Sequence, residues 1–207
     1  MHMFSFAAGL LAAGLCAPTF AQAANEPIKY FTAENVQAAL TGLGAASVTS
    51  EKDKTGSLVV RFSVREAPFL AVLTGCKGQP GCLGLLLVIP VGLPDGKFSH
   101  QAVNGFNEVL PFGKAVRGDD GAVVFLSRYL ISDGGISEEN LRANIGVFTA
   151  MPDSFAKYLS AQLTASLSEP APHAVPIAHL EASGAPHSEI EQRIEMLVKE
   201  PRYVLPR

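Results

Sequence analysis

"LAVLTGCKGQPGCLGLLLVIP", Leu70 to Pro90, sets two cysteines either side of a Pro-Gly turn inside an otherwise apolar run. Gln79-Pro80-Gly81 has Pro at the second place of a turn and Gly at the third, so the chain reverses there and its flanks become an antiparallel ribbon. Cys76 and Cys82 then face each other at the end of that ribbon. Three chemistries compete for such a pair. A redox centre needs a Cys-x-x-Cys-like spacing at a helix start to depress a thiol pKa, and this loop supplies neither. A metal clip needs two further ligands, and no other Cys of an exported chain or closely spaced His pair provides them. A covalent staple needs an oxidising compartment, and closing so small a ring is worth about 2 kcal/mol. The staple ranks first, which puts a pinned antiparallel hairpin at the centre of the fold.

Outward from the hairpin the strand period continues. In "SLVVRFSVR", Ser57 to Arg65, Leu58, Val60, Phe62 and Val64 alternate with the rest, which describes a half-buried strand. Asp53-Lys54-Thr55-Gly56 before it and Asp119-Asp120-Gly121 later have hairpin-turn chemistry. "AVVFLSRYLI", Ala122 to Ile131, is the last strand. Three segments instead show a helix start, an apolar residue, a hydroxyl cap, and an apolar residue four positions inside: Phe31-Thr32, Phe98-Ser99 and Ile136-Ser137. The first helix runs to about Leu43 and stops at Gly44; the second ends before Pro111. The third carries Leu141, Ile145, Phe148, Phe155, Leu159 and Leu163 at helical spacing, with Pro152 expected to kink or divide it. The order is α-ββββ-α-ββ-α, an α+β domain over residues 24–167 with helices on one face of an antiparallel sheet.

Both ends read differently. Residues 1–23 hold an apolar run from Phe4 to Leu15, too short to span a membrane, then Pro18 and small residues, which reads as a secretory signal cut before Ala24. The alternative is an uncleaved anchor, since no Lys or Arg precedes the run. Export removes Cys16, leaves no membrane span, and makes the protein periplasmic or secreted. Residues 168–187 are rich in Pro, Ala and Ser, an expected linker. Residues 188–200 open with the capping box Ser188-Glu189-Ile190-Glu191 and carry Ile190, Ile194, Leu197 and Val198 along one helical stripe.

Formal net charge is −3 with no basic cluster, which argues against nucleic acid as a partner. No Gly-x-Ser-x-Gly elbow or His-Glu-x-x-His is present. Gly42-Leu43-Gly44 follows a helix rather than a strand, the reverse of a phosphate-binding turn. Asp119-Asp120 suits a hairpin turn, and Glu138-Glu139 a helix N-terminus. His173, His179 and His187 fall in the linker. The expectation is no catalytic residue, no cofactor and no metal.

Several motifs in order resemble the YbjN domain family of bacterial sensory-transduction regulators. They are Thr32-Ala33-Glu34-Asn35, Gly75-Cys76 with Cys82, Asn104-Gly105-Phe106-Asn107, Asp119-Asp120-Gly121, and Asp133-Gly134-Gly135-Ile136 running on to Leu141. The resemblance covers roughly residues 32 to 163. Phe106 stands where the family commonly has Trp, and the export signal and C-terminal tail are not its usual accompaniments. The resemblance implies a fold like the dimeric chaperones of type III secretion and a non-catalytic regulatory or chaperone-like binder. Asn104 and Asn107 are candidate ligand contacts or, as amides on a helix facing a sheet, partners for buried backbone.

A binding role has its own support. "CLGLLLVIPV" is apolar on both faces, and Val123, Phe125 and Tyr129 alternate with Val124, Leu126 and Leu130. Helices cover one face, so Leu86, Val88, Val123, Phe125 and Tyr129 are expected to meet a protein partner or a second copy in a homodimer, the alternative being that both strands are central and the chain's own tail covers them. The alternative is a periplasmic enzyme of the hydrolase class, which would show a deep pocket with at least two displaced titratable groups.

Overall fold

Each of the three hydroxyl caps opens a helix, because each satisfies an amide that the first turn leaves without a partner. Thr32 caps α1 (Ala33–Gly42), Ser99 caps α2 (His100–Val109) and Ser137 caps α3 (Glu138–Thr149). At α1 the cap is reciprocal. Asn35 N–H donates to Thr32 Oγ1 at 3.3 Å, and Thr32 N–H donates to Asn35 Oδ1 at 3.0 Å. Asn35 takes the place that Glu or Gln usually holds in a capping box. Gly44 at φ 71° then ends α1 in the left-handed conformation. Pro152 divides the last helical stretch: α3 stops at Thr149, and α4 (Met151–Ser168) begins afresh with Pro152 in its first turn, where a missing N–H costs nothing.

The computed structural model describes residues 26–54, 56–76, 80–93, 96–168 and 203–204. The expected signal (1–23) and terminal helix (188–200) lie outside the described residues, as does the expected linker beyond Ser168. Six strands form one antiparallel sheet: β1 (Ala46–Lys52), β2 (Leu58–Val64), β3 (Ala67–Thr74), β4 (Gly84–Gly92), β5 (Lys114–Arg117) and β6 (Val123–Ile131). Their spatial order is β1-β2-β3-β4-β6-β5, and a short β7 (Tyr203–Val204) pairs parallel with Val91–Gly92 of β4. The observed order is thus the expected α+β arrangement with its last helix divided in two and one strand added at the C-terminal end.

All four described helices lie against one face of the sheet, as expected. Leu85, Leu87 and Ile89 of β4 share a buried cluster with Leu40 of α1, Ile145 of α3 and Phe155 of α4. Aromatic rings knit it together: Phe62 stacks on Phe69 at 5.3 Å, and Phe69 meets Phe148 edge-on at 5.7 Å. β4 explains why the sequence around it is apolar without alternation, since all nine of its residues are buried and it has neighbours on both sides.

One turn departs from its residue chemistry. Val64 pairs with Ala67, so Arg65 and Glu66 form a two-residue hairpin loop with φ of 50° and 68°. Both positions need the left-handed conformation that Asn-Gly supplies and that Arg-Glu adopts only under strain. The ion pair from Arg65 Nη1 to Asp153 Oδ2, 3.2 Å, involves an Arg side chain that is 84% exposed, so it offsets little of that strain. The double substitution R65N/E66G should therefore stabilise the fold by about 1–2 kcal/mol. A urea unfolding midpoint that fails to rise would show the turn is not strained.

Candidate binding face and disulfide hairpin

The face of the sheet away from the helices has its own buried cluster: Val59, Leu70, Val72, Leu86, Val88, Val123 and Phe125. The register aligns these residues in rows. Val59 opposes Val72, Val72 opposes Leu86, and Leu86 opposes Tyr129. The next row runs Arg61, Leu70, Val88 and Ser127, and ends at Lys114. Apolar residues hold the middle of each row and polar ones the rim. At the β1–β2 edge Arg61 Nε meets Glu51 Oε1 at 2.7 Å, and at the β5 edge Ser127 Oγ donates to Lys114 O at 3.4 Å. An apolar centre with a polar rim is the make-up of a protein interface.

The structure gathers all five expected contact residues on this face, and it grades them. Leu86, Val88, Val123 and Phe125 are each at most 9% exposed within this chain. Tyr129 and, two residues on, Ile131 are 49% and 63% exposed. Tyr129 is held across the sheet: its hydroxyl and Thr74 Oγ1 are 2.9 Å apart, and its ring end lies over Gly84, where any Cβ would strike both hydroxyls. Ile131, which lies opposite Gly84, carries the same signal in the sequence and was not among the expected residues.

Cys76 and Cys82 are joined by a disulfide with Cα atoms 4.0 Å apart. The hairpin end it closes is anchored beneath α1: Phe31 N–H donates to Cys82 O at 2.7 Å, and Cys82 N–H donates to Phe31 O at 2.8 Å. Cys82 is 4% exposed in the helix-side core, so the bridge fixes the approach of the N-terminal segment to the sheet. Replacing both cysteines by serine should cost about 2 kcal/mol by loop entropy, plus a smaller amount for the hydroxyl left at position 82. An unchanged thermal midpoint would remove the staple from the account.

The two asparagines of Asn104-Gly105-Phe106-Asn107 have different fates. Asn107 brackets one residue of the edge strand β5: its Nδ2 donates to Ala115 O at 2.9 Å, and Ala115 N–H donates to its Oδ1 at 2.7 Å. The side chain stands in for a further strand and closes that edge. Asn104 is exposed on α2, and the backbone pairing considered for both amides is seen at Asn107. Gly105 admits the Tyr158 hydroxyl where a Cβ would clash, and Phe106 is buried against Phe155 at 4.8 Å and Tyr158 at 5.6 Å. The motif therefore joins α2 to β5 on one side and to α4 on the other.

Among the described residues, the titratable groups with displaced pKa values do not converge. The Glu34 carboxyl is held below its usual range by the Thr32 side chain and then by its own backbone N–H, at the positive end of α1. Burial lowers the Arg128 pKa. Arg128 donates to Asn144 Oδ1 and to Phe112 O, which ties β6 to α3 and the loop before β5. Neither group lines the open depression of about 400 Å³ formed by Glu26, Pro27, Lys29, Tyr30, Thr32 and Pro80. Among the described residues, no group of three or more His, Cys, Asp or Glu could hold a metal, and no helix is long and apolar enough to cross a membrane.

No curated protein and no solved structure matches the chain. A family model described as "Putative bacterial sensory transduction regulator" matches residues 32–161, well over half of the chain, from the cap of α1 to the body of α4. The match spans the capping box, the stapled hairpin, the β5 bracket and the divided helix, and the chain belongs to the YbjN family of bacterial sensory-transduction regulators.

Proposed function

We propose that this protein is an exported, non-catalytic regulator that binds another polypeptide through the sheet face opposite its helices and associates as a homodimer. The observation that carries the reading is the exposed Tyr129–Ile131 end of this face, which adjoins an apolar cluster that no described helix covers. A sheet face of this kind is stable only against another apolar surface. The disulfide supports a periplasmic or secreted location, where such bonds persist. The scatter of the displaced titratable groups favours binding over hydrolysis, and membership of a regulator family points the same way. Exposed Leu43, just past the end of α1, and Val147 on α3 add a small apolar spot on the helix side, which supports self-association.

The test is binding of a reduced, unfolded polypeptide by the mature chain. Ile131→Asp with Tyr129→Ser should weaken it by about tenfold or more, the equivalent of losing one buried apolar side chain. Undiminished binding would place the contact elsewhere. Light scattering should give about twice the mass of one mature chain for the homodimer. A strictly monomeric result would count against it.

A further inference from the structure

The strand β4 pairs with β6 along all nine of its residues but with β3 along only five, from Gly84 to Val88. We propose that the lane this leaves beside residues 89–92 is a strand-addition site for an extended segment of a protein partner, and that the chain's own Tyr203–Val204 fills it in the free protein. This goes beyond the binding reading, because the lane lies at the far end of β4 from Tyr129 and Ile131 and recognises backbone rather than an apolar face.

Two prolines open the lane. Carried on in the same register, the β3 ladder would set Phe69 against Ile89 and Pro68 against Pro90, and neither proline has an N–H to give. β3 therefore leaves β4 there and keeps only β2, pairing Phe69 with Phe62 and Pro68 with Ser63. β4 nevertheless stays buried through Gly92, so its backbone groups on that side need a partner other than water. Tyr203 beside Val91 and Val204 beside Gly92, running parallel to β4, supply one.

The same geometry states what else fits. The chain reads Pro-Arg-Tyr-Val-Leu-Pro over residues 201–206, so a proline on each side limits its ladder to the four residues between, the length of the lane. A residue paired with Val91 shares the face of Val91 and Val124 in the helix-side core. One paired with Gly92 falls beside Val123, where Gly92 has no side chain of its own. The favoured occupant is thus a short extended segment with a bulky apolar or aromatic residue followed by a β-branched one, and proline at neither. Only two residue pairs hold the tail and Val204 is 52% exposed, so its tether supplies much of its hold and a partner's segment can displace it.

NMR titration of the full chain with the capped tetrapeptide RYVL tests the site. The peptide should shift the amides of Val91 and Gly92 and bind Y203P/V204P, which has lost its tethered competitor, about tenfold or more tightly than the parent. If the prolines disturb the sheet, seen as shifts at Leu87 and Leu126 before any peptide is added, Y203G/V204G is to give the same contrast. The peptide RYPL, which lacks one N–H, should not bind. Y129S/I131D should leave the affinity for RYVL unchanged, since Gly84 and Gly92 stand about 27 Å apart along β4, so this site and the Tyr129–Ile131 contact fail separately. Equal affinity for parent and variant, equal binding of RYPL, or shifts at residues 49–52 of the edge strand β1 instead overturns the proposal. So does a change at Val91 and Gly92 on dilution of the parent alone, which would assign the lane to the tail of a second copy.

Discussion

Phe106→Ala is expected to lower the unfolding free energy by about 3–5 kcal/mol, the largest effect of any single truncation on α2. The ring is 2% exposed and meets Phe155 edge-on at 4.8 Å and Tyr158 at 5.6 Å, so its removal leaves a void that two other rings cannot both fill. Those rings belong to α4, and Phe155 also touches Phe98 at 5.5 Å, so the loss spreads across α2, α4 and the loop before α2. Phe106→Trp, the residue the resemblance leads one to expect here, should not stabilise. Gly105 is already crowded by Tyr158, and the larger ring must displace Phe155, at a cost of about 1–3 kcal/mol. Urea unfolding of both variants checks the pair. A loss below 1 kcal/mol for the alanine would mean that α4 does not pack where the structure puts it.

Val88→Asp has the second large effect, and it distinguishes a covered face from an open one. Val88 is 1% exposed between Leu70 and Ser127 in the middle of the helix-free face. If the face is covered, a carboxylate there is buried without a cationic partner and should cost about 3 kcal/mol or more, or else stay protonated well above its ordinary pKa. On a solvated face the same substitution would cost within about 0.5 kcal/mol. Linkage gives the covered case a further signature. A raised folded pKa means that the unfolded state loses its proton first, so the variant's stability should fall as the pH rises from acid toward neutral. The parent should not share that added dependence. A small, pH-independent change would contradict a covered face.

Much of the fold was legible because its signals are local. A hydroxyl followed by an apolar residue four positions on fixed three helix starts, and a proline divided the last helix, since caps and ring closure act within one turn. Strand parity placed Val123 and Phe125 on one face and Val124 and Leu126 on the other, because side-chain alternation is a property of the strand alone. The Arg65–Glu66 turn was not legible, since neither residue is one that favours the conformation it adopts. Nor was the difference between Asn104 and Asn107, which depends on which turn of α2 lies beside β5. β7 could not be read either, for a two-residue pairing carries no period. The exposure gradient along the candidate face depends on what lies above the sheet, and no pattern within a strand reports that.

The central claim is that the sheet face away from the helices takes up another polypeptide, and site-specific photocrosslinking tests it most directly. A photoreactive side chain placed at Ile131, on the open end of that face, should capture a second polypeptide in the producing cell, whereas the same group at Glu108 on exposed α2 should capture none. Adducts from Glu108 with none from Ile131 would contradict the account and move recognition to the helical side.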